Sequence, residues 1–279
     1  MASLLALLSS ILWGGADFLG GKLSKRYQAI AVTAVSQAIG LVIGILIVLI
    51  SSSWFRPTLS WDNYFLSGIF AGLLGFIGLV AFYSGLATGR MGVVAPISAL
   101  SVFIPLTIAF INGEKPNDGQ LIGMGIALTG AFFASGPEIK GGFALKPILF
   151  AVIAAFGFGG AVTFIAKGSE SSAIMTMTTM RFATFMVALL LFARYRTIGG
   201  FTKKELPILI AIGGADFIAN LLLGVATTKG LVSLAVVLGS LYPIVTALLA
   251  FKLLHERLHK VQYLGIAFAI AGVAVISIS

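Results

Sequence analysis

Three ionisable residues interrupt stretches of sequence that are otherwise almost wholly apolar: Asp17, Arg181 and Asp216. An ionised side chain at mid-bilayer depth costs about 2.5–3.5 kcal/mol on insertion scales, so each needs a partner or a task. Both aspartates occur in the same pentapeptide, Gly-Gly-Ala-Asp-Phe, at 14–18 and 213–217. Two chemistries fit them. As cavity acids, Asp17 and Asp216 attract a cationic group or carry a proton. Alternatively, Arg181 and Asp216 pair across neighbouring helices as a structural ion pair. Asn220, one turn after Asp216, is spaced to orient that carboxylate, to bind a solute or to hydrogen-bond between helices. Trp13, one turn before Asp17, and Tyr83 and Tyr242 are candidates for a cavity wall or for plain packing. The candidate binding set is therefore Trp13, Asp17, Tyr83, Asp216, Asn220 and Tyr242, with Asp17 and Asp216 as proton-coupling candidates. Metal and cofactor chemistry is not expected: there is no Cys, and the two histidines, His255 and His259, share one turn.

The elements that must position these residues are membrane helices. Of 279 residues 59% are hydrophobic and only 10% charged, against about 25% charged in soluble domains. One soluble core cannot absorb that much apolar surface. A soluble enzyme, a nucleic-acid module and a disordered chain are all excluded on this ground. The net charge of +9 lies in the connections between apolar runs and reads as membrane topology rather than as a nucleic-acid face. A spanning helix takes roughly 20 apolar residues. Such runs fall near 2–21, 30–52, 64–87, 92–112, 119–136, 147–167, 173–193, 205–227, 231–251 and 260–278. The fold class is all-α integral membrane protein with ten transmembrane helices. The first run lacks a basic flank and is longer than a signal-peptide core, so it is expected to persist as a helix.

The halves resemble each other. Residues 114–135 align with 256–277, matching Glu114 with Glu256, Gly123 with Gly265 and Gly130 with Gly272. Upstream, Trp13-Gly14-Gly15-Ala16 matches Phe158-Gly159-Gly160-Ala161, and Lys22 falls opposite Lys167. Pro105 falls opposite Pro243, but lies nine positions before its glutamate where Pro243 lies thirteen before its own, as if one helical turn were missing. Five spans per repeat is an odd number, so the halves, 1–139 and 145–279, must enter the membrane in opposite senses. Such inverted repeats build secondary transporters with a site at the repeat interface.

Pro96, Pro105 and Pro243 lie within spans and are hinge candidates, each removing a backbone hydrogen bond. Arg90 and Lys229 precede the fourth and ninth spans as interfacial anchors. Glu114 and Glu256, beside Lys115 and Arg257, read as caps and turn salt bridges. Gly119-x-x-x-Gly123 and Gly265-x-x-x-Ala269 suit either dimer formation or packing within the chain, which leaves the oligomeric state open between monomer and homodimer. Loops after odd-numbered spans hold thirteen Lys and Arg, and those after even-numbered spans hold four. The positive-inside rule then puts both termini on the non-cytoplasmic side of the cell membrane.

Leu12-Trp13-Gly14-Gly15-Ala16-Asp17-Phe18-Leu19-Gly20-Gly21 resembles the first helix of EamA-like members of the drug/metabolite transporter superfamily. Arg90-Met91-Gly92-Val93-Val94-Ala95-Pro96-Ile97 with Gly113-Glu114-Lys115-Pro116 is similar to its fourth helix and following turn. Leu241-Tyr242-Pro243 through His255-Glu256-Arg257-Leu258 resembles the second-half counterpart, with His255 where a glycine is usual. The resemblance spans the chain. It implies a ten-helix secondary carrier of small organic metabolites, often an exporter. It also implies a cavity ringed by the first, third and fourth helices of each repeat. Two acids and one base favour amino acids or organic cations, moved by alternating access with protons as the coupling ion. A uniporter or exchanger of a neutral metabolite stays open, as do a membrane-embedded enzyme and a structural subunit. A channel would show repeated pore-lining polar rings, and none is visible. No nucleotide-binding motif occurs, so ATP is not the energy source. The expected partners are a small-molecule substrate and membrane lipid, with no nucleic acid.

Overall fold

The structure is a computed structural model that describes residues 1–89, 91–136, 144–197, 199–254 and 258–279. Arg90, His255, Glu256 and Arg257 lie outside the described residues. In chain order the helices are α1 (Ala2–Ser24), α2 (Ala29–Ile50), α3 (Tyr64–Thr88), α4 (Met91–Ala99), α5 (Phe103–Ile111) and α6 (Asp118–Ala134). They continue with α7 (Leu145–Tyr195), α8 (Leu206–Thr227), α9 (Val232–Gly239), α10 (Tyr242–Leu254) and α11 (Lys260–Ile278). A 3₁₀ turn, Leu100–Val102, links α4 to α5.

Local chemistry sets the ends. Asn63 starts α3 by accepting a hydrogen bond from the Phe65 amide at 3.0 Å. Asn117 and Gln120 bond each other's backbone amides as a capping box for α6. Gly136 follows α6 at φ +72°, a conformation that suits a residue without Cβ.

Eight helical stretches among the described residues are long and apolar enough to cross a membrane. One is the 51-residue α7, which leaves helical geometry only at Ser172 (φ −165°, ψ 115°). The apolar runs near 147–167 and 173–193 leave Gly168-Ser169-Glu170-Ser171-Ser172 as the connection between two spans. Instead the first leg stays helical up to Ser172, whose hydroxyl accepts from the Met175 amide at 3.3 Å and caps the second leg.

Glycines set the helix contacts. α3 lies along both legs of α7: a methyl on Gly68 would press on Thr179, and one on Gly78 would press on Phe158. α6 packs on α11, where methyls on Gly130 and Gly272 would overlap the Ala269 and Ala127 backbones. Gly119 and Gly123 face Ser279 and Ile276, while Gly265 and Ala269 face Ala134 and Gly130, so both small-residue motifs pack within the chain rather than on each other. Outward-facing Ile50, Phe156, Leu190 and Ile270 leave an apolar perimeter suited to lipid rather than water.

Gly14 and Gly159 also revise the repeat alignment. Gly14 sits against the Tyr242 carbonyl and Val245, while Gly159 sits against the Ser101 carbonyl and Ile104. Ser101 and Tyr242 precede Glu114 and Glu256 by thirteen and fourteen positions. By contact, then, no helical turn is missing. The two prolines occupy different places, Pro243 one residue after its contacting carbonyl and Pro105 four residues after its own.

Candidate functional site

α1, α3, α5, both legs of α7, and α8 to α10 surround a small cavity of about 70 Å³, with further wall from the 3₁₀ turn. α2, α6 and α11 contribute no lining residue. Most of the wall is apolar, including Leu79, Val102, Phe158, Ile165, Leu223 and Val236.

On one side lies a buried polar network. Arg181 reaches in from the second leg of α7, beside Gly40, whose lack of a side chain leaves room for the guanidinium. Its Nη2 is 2.9 Å from Asp216 Oδ2, and its Nη1 donates to Gln37 Oε1. The other end of the same amide donates from Gln37 Nε2 to Asp216 Oδ2 at 2.8 Å. Asp216 Oδ1 accepts from Trp13 Nε1 at 3.2 Å and from Asn220 Nδ2 at 3.1 Å. Each oxygen of this carboxylate is thus served twice, and the cation beside it is fully buried. The carboxylate side thus meets the condition for a buried ion pair, whereas Arg181 Nε and Nη2 make no hydrogen bond among the described residues and Nη2 is held to Asp216 by charge alone.

Asp17 is placed differently. It lines the same cavity, is 7% exposed, and has no hydrogen-bond or ion-pair partner among the described residues. Tyr242, also 7% exposed, lines the cavity, and its buried hydroxyl lacks a partner among the described residues. Its ring meets that of Trp13 edge-on, with centroids 6.4 Å apart at 77°.

Of the candidates named from sequence, Trp13, Asp17, Asp216, Asn220, Tyr242, Arg181 and Pro105 share this cavity wall. Tyr83 is not on it. Its ring lies over Gly20 of α1 and beside Phe82, buried between helices. Pro96 sits inside α4, away from the wall, and Pro243 falls in the first turn of α10, just after the α9–α10 break. Glu114 caps a distant helix rather than its own turn: its carboxylate accepts from the Val232 and Ser233 amides of α9 at 2.7 and 2.9 Å. Gln37 was missed by the sequence reading. The available signal was a lone amide at the middle of an apolar run.

The family comparison matches residues 1–136, and again residues 145–278, to the EamA-like transporter family. The chain belongs to that family. An uncharacterized protein of Methanocaldococcus jannaschii is 31% identical over 123 residues, which are 44% of this chain and 90% of that protein. A solved crystal structure of a protein aligns with a TM-score of 0.79 at 20% identity, covering 99% of this chain and 96% of that one. The structural likeness carries the fold alone. With its many apolar helices, this EamA-like protein is a multi-pass membrane protein of a transporter family.

Proposed function

We propose that the chain is a secondary active transporter, an exporter of small organic metabolites such as amino acids or organic cations, working by alternating access. The observation that carries this reading is the central cavity, lined from both family-matched segments and holding one unpaired carboxylate at Asp17. On this reading the chain crosses the membrane ten times as two inverted five-helix repeats, 1–139 and 145–279. Support comes from the way the halves interlock: α1 packs on α8, α3 on the first leg of α7, and α6 on α11. The archaeal relative, matched along most of its length by less than half of this chain, is a further support. Helix breaks at Leu100–Val102 and between α9 and α10 flank the cavity, and broken helices suit transporter sites.

Rocking of the halves would open the cavity to each side in turn. The Glu114 contact with α9 joins the two halves and must loosen for that motion. Energy comes from a proton gradient, with Asp17 as the coupling acid, since Asp216 is held by Arg181. The loop charges orient both termini away from the cytoplasm.

The test is a flux screen in proteoliposomes, using amino acids and organic cations with and without an imposed pH gradient. Saturable, gradient-driven uptake that falls in Asp17→Asn supports the reading. Uptake indifferent to the gradient would replace it with uniport or exchange, and the absence of saturable flux for every solute would remove it.

A further inference from the structure

We propose that the cavity recognises a monovalent organic cation, a protonated amine on an apolar body, through Asp17 and the Tyr242 hydroxyl. This rests on the transporter reading and chooses within it, against zwitterionic amino acids. The inference begins with charge. Three ionisable side chains, Asp17, Arg181 and Asp216, carry the formal charge on the wall. Arg181 and Asp216 face each other at 2.9 Å and cancel. Gln37, Trp13 and Asn220 complete the Asp216 carboxylate, so it has little left to offer a guest. One negative charge remains, at Asp17, more than nine-tenths buried and without a donor among the described residues.

A buried carboxylate is stable when paired with a cation and costly when bare. Its partner is either the coupling proton or a bound cation, and an ammonium that takes the place of that proton couples the two. A second buried group, the Tyr242 hydroxyl, also lacks a partner on the same wall and can accept from an ammonium N–H. The edge-on Trp13 and Tyr242 rings add aromatic surface of the kind that attracts cations. Beyond these groups the wall is hydrocarbon, which fits an apolar body.

A zwitterion would bring its own carboxylate. The one cation on the described wall, Arg181, has its charge balanced by Asp216 and its Nε turned toward Gly40. The substrate carboxylate would then be buried unpaired, a cost that rejects amino acids in favour of amines.

The test uses four probes with one apolar body: phenethylamine, phenylalanine, 3-phenylpropionate and 2-phenylethanol. Their binding to the purified full chain is measured by isothermal titration calorimetry. Phenethylamine is expected to bind at least about tenfold more tightly than phenylalanine or 2-phenylethanol, with 3-phenylpropionate weakest. Asp17→Asn should remove the preference for the amine, Asp17→Glu should retain it, and Tyr242→Phe should weaken amine binding about three- to tenfold. All three variants should melt near the parent temperature, because neither group is hydrogen-bonded among the described residues. Failure of phenethylamine to bind at millimolar concentration overturns the proposal. So does equal or tighter binding of phenylalanine or 3-phenylpropionate, or an amine preference that survives Asp17→Asn. Proteoliposome counterflow separates the two readings. Saturable phenylalanine flux unaffected by Asp17→Asn removes the amine proposal and leaves the carrier, whereas no saturable flux of amine or amino acid removes both.

Discussion

Replacing Asp216 by Asn removes the charge that faces Arg181 and leaves a guanidinium fully buried without a counter-ion. Breaking a buried pair from one side costs about 3–5 kcal/mol. The amide makes matters worse, because its NH₂ must face either the Trp13 and Asn220 donors or the Gln37 and Arg181 donors. Asp216→Asn should therefore lie near 4 kcal/mol, at the middle of that range. Arg181→Gln leaves the carboxylate with three donors, each bond to a charged acceptor being worth about 1.5–3 kcal/mol, so it should cost only about 2–3 kcal/mol. The double variant buries no charge and forfeits ordinary hydrogen bonds, at about 1 kcal/mol apiece, for a cost of about 2 kcal/mol. The cycle then gives a coupling energy near 4 kcal/mol, far above the roughly 0.6 kcal/mol average for interhelical hydrogen bonds in membranes. Unfolding in mixed micelles titrated with dodecyl sulfate and followed by circular dichroism measures all four proteins. Additive costs, with coupling below about 1 kcal/mol, would refute the view of Arg181 and Asp216 as a mutually dependent pair.

Other elements make their own predictions. Gly130→Leu should drive a side chain into the Ala269 backbone and separate α6 from α11, costing about 3 kcal/mol or more in the same unfolding assay. Glu114→Ala removes both acceptors from the first amides of α9 and should cost about 1–2 kcal/mol, with Glu114→Gln losing less because one acceptor persists. Hydrogen bonds from Thr202 hold the Glu205 carboxyl down from 4.5 to about 2. A depressed carboxylate stabilises the fold fully above its unfolded value, so this contribution should be intact above about pH 4.5 and lost as pH falls through about 2. Thr202→Val should flatten that part of a plot of melting temperature against pH.

Much of the fold was legible because the bilayer demands long apolar runs, and the same demand made Asp17, Arg181 and Asp216 conspicuous as exceptions. Which acid is paired was not legible. That depends on Gln37 and Trp13 reaching Asp216 from α2 and α1, over sequence separations of 179 and 203 residues. Polar, Gly- and Ser-rich composition at 168–172 read as a connection between spans because propensity is local, whereas packing on α3 holds α7 helical up to Ser172. Tyr83 looked like Tyr242 in sequence, yet one ring covers Gly20 and the other faces the cavity. The proline match misplaced a helical turn, since residue identity carries no record of which carbonyl packs against Gly14 or Gly159.

The most direct test of the central claim is proton movement itself. Proteoliposomes containing a trapped pH indicator would receive phenethylamine or an amino acid at zero membrane potential, with parent and Asp17→Asn protein compared. The account predicts a saturable, substrate-dependent pH change in the parent that is lost in the variant. Saturable substrate flux with no accompanying proton movement, or proton movement undiminished without Asp17, would contradict it.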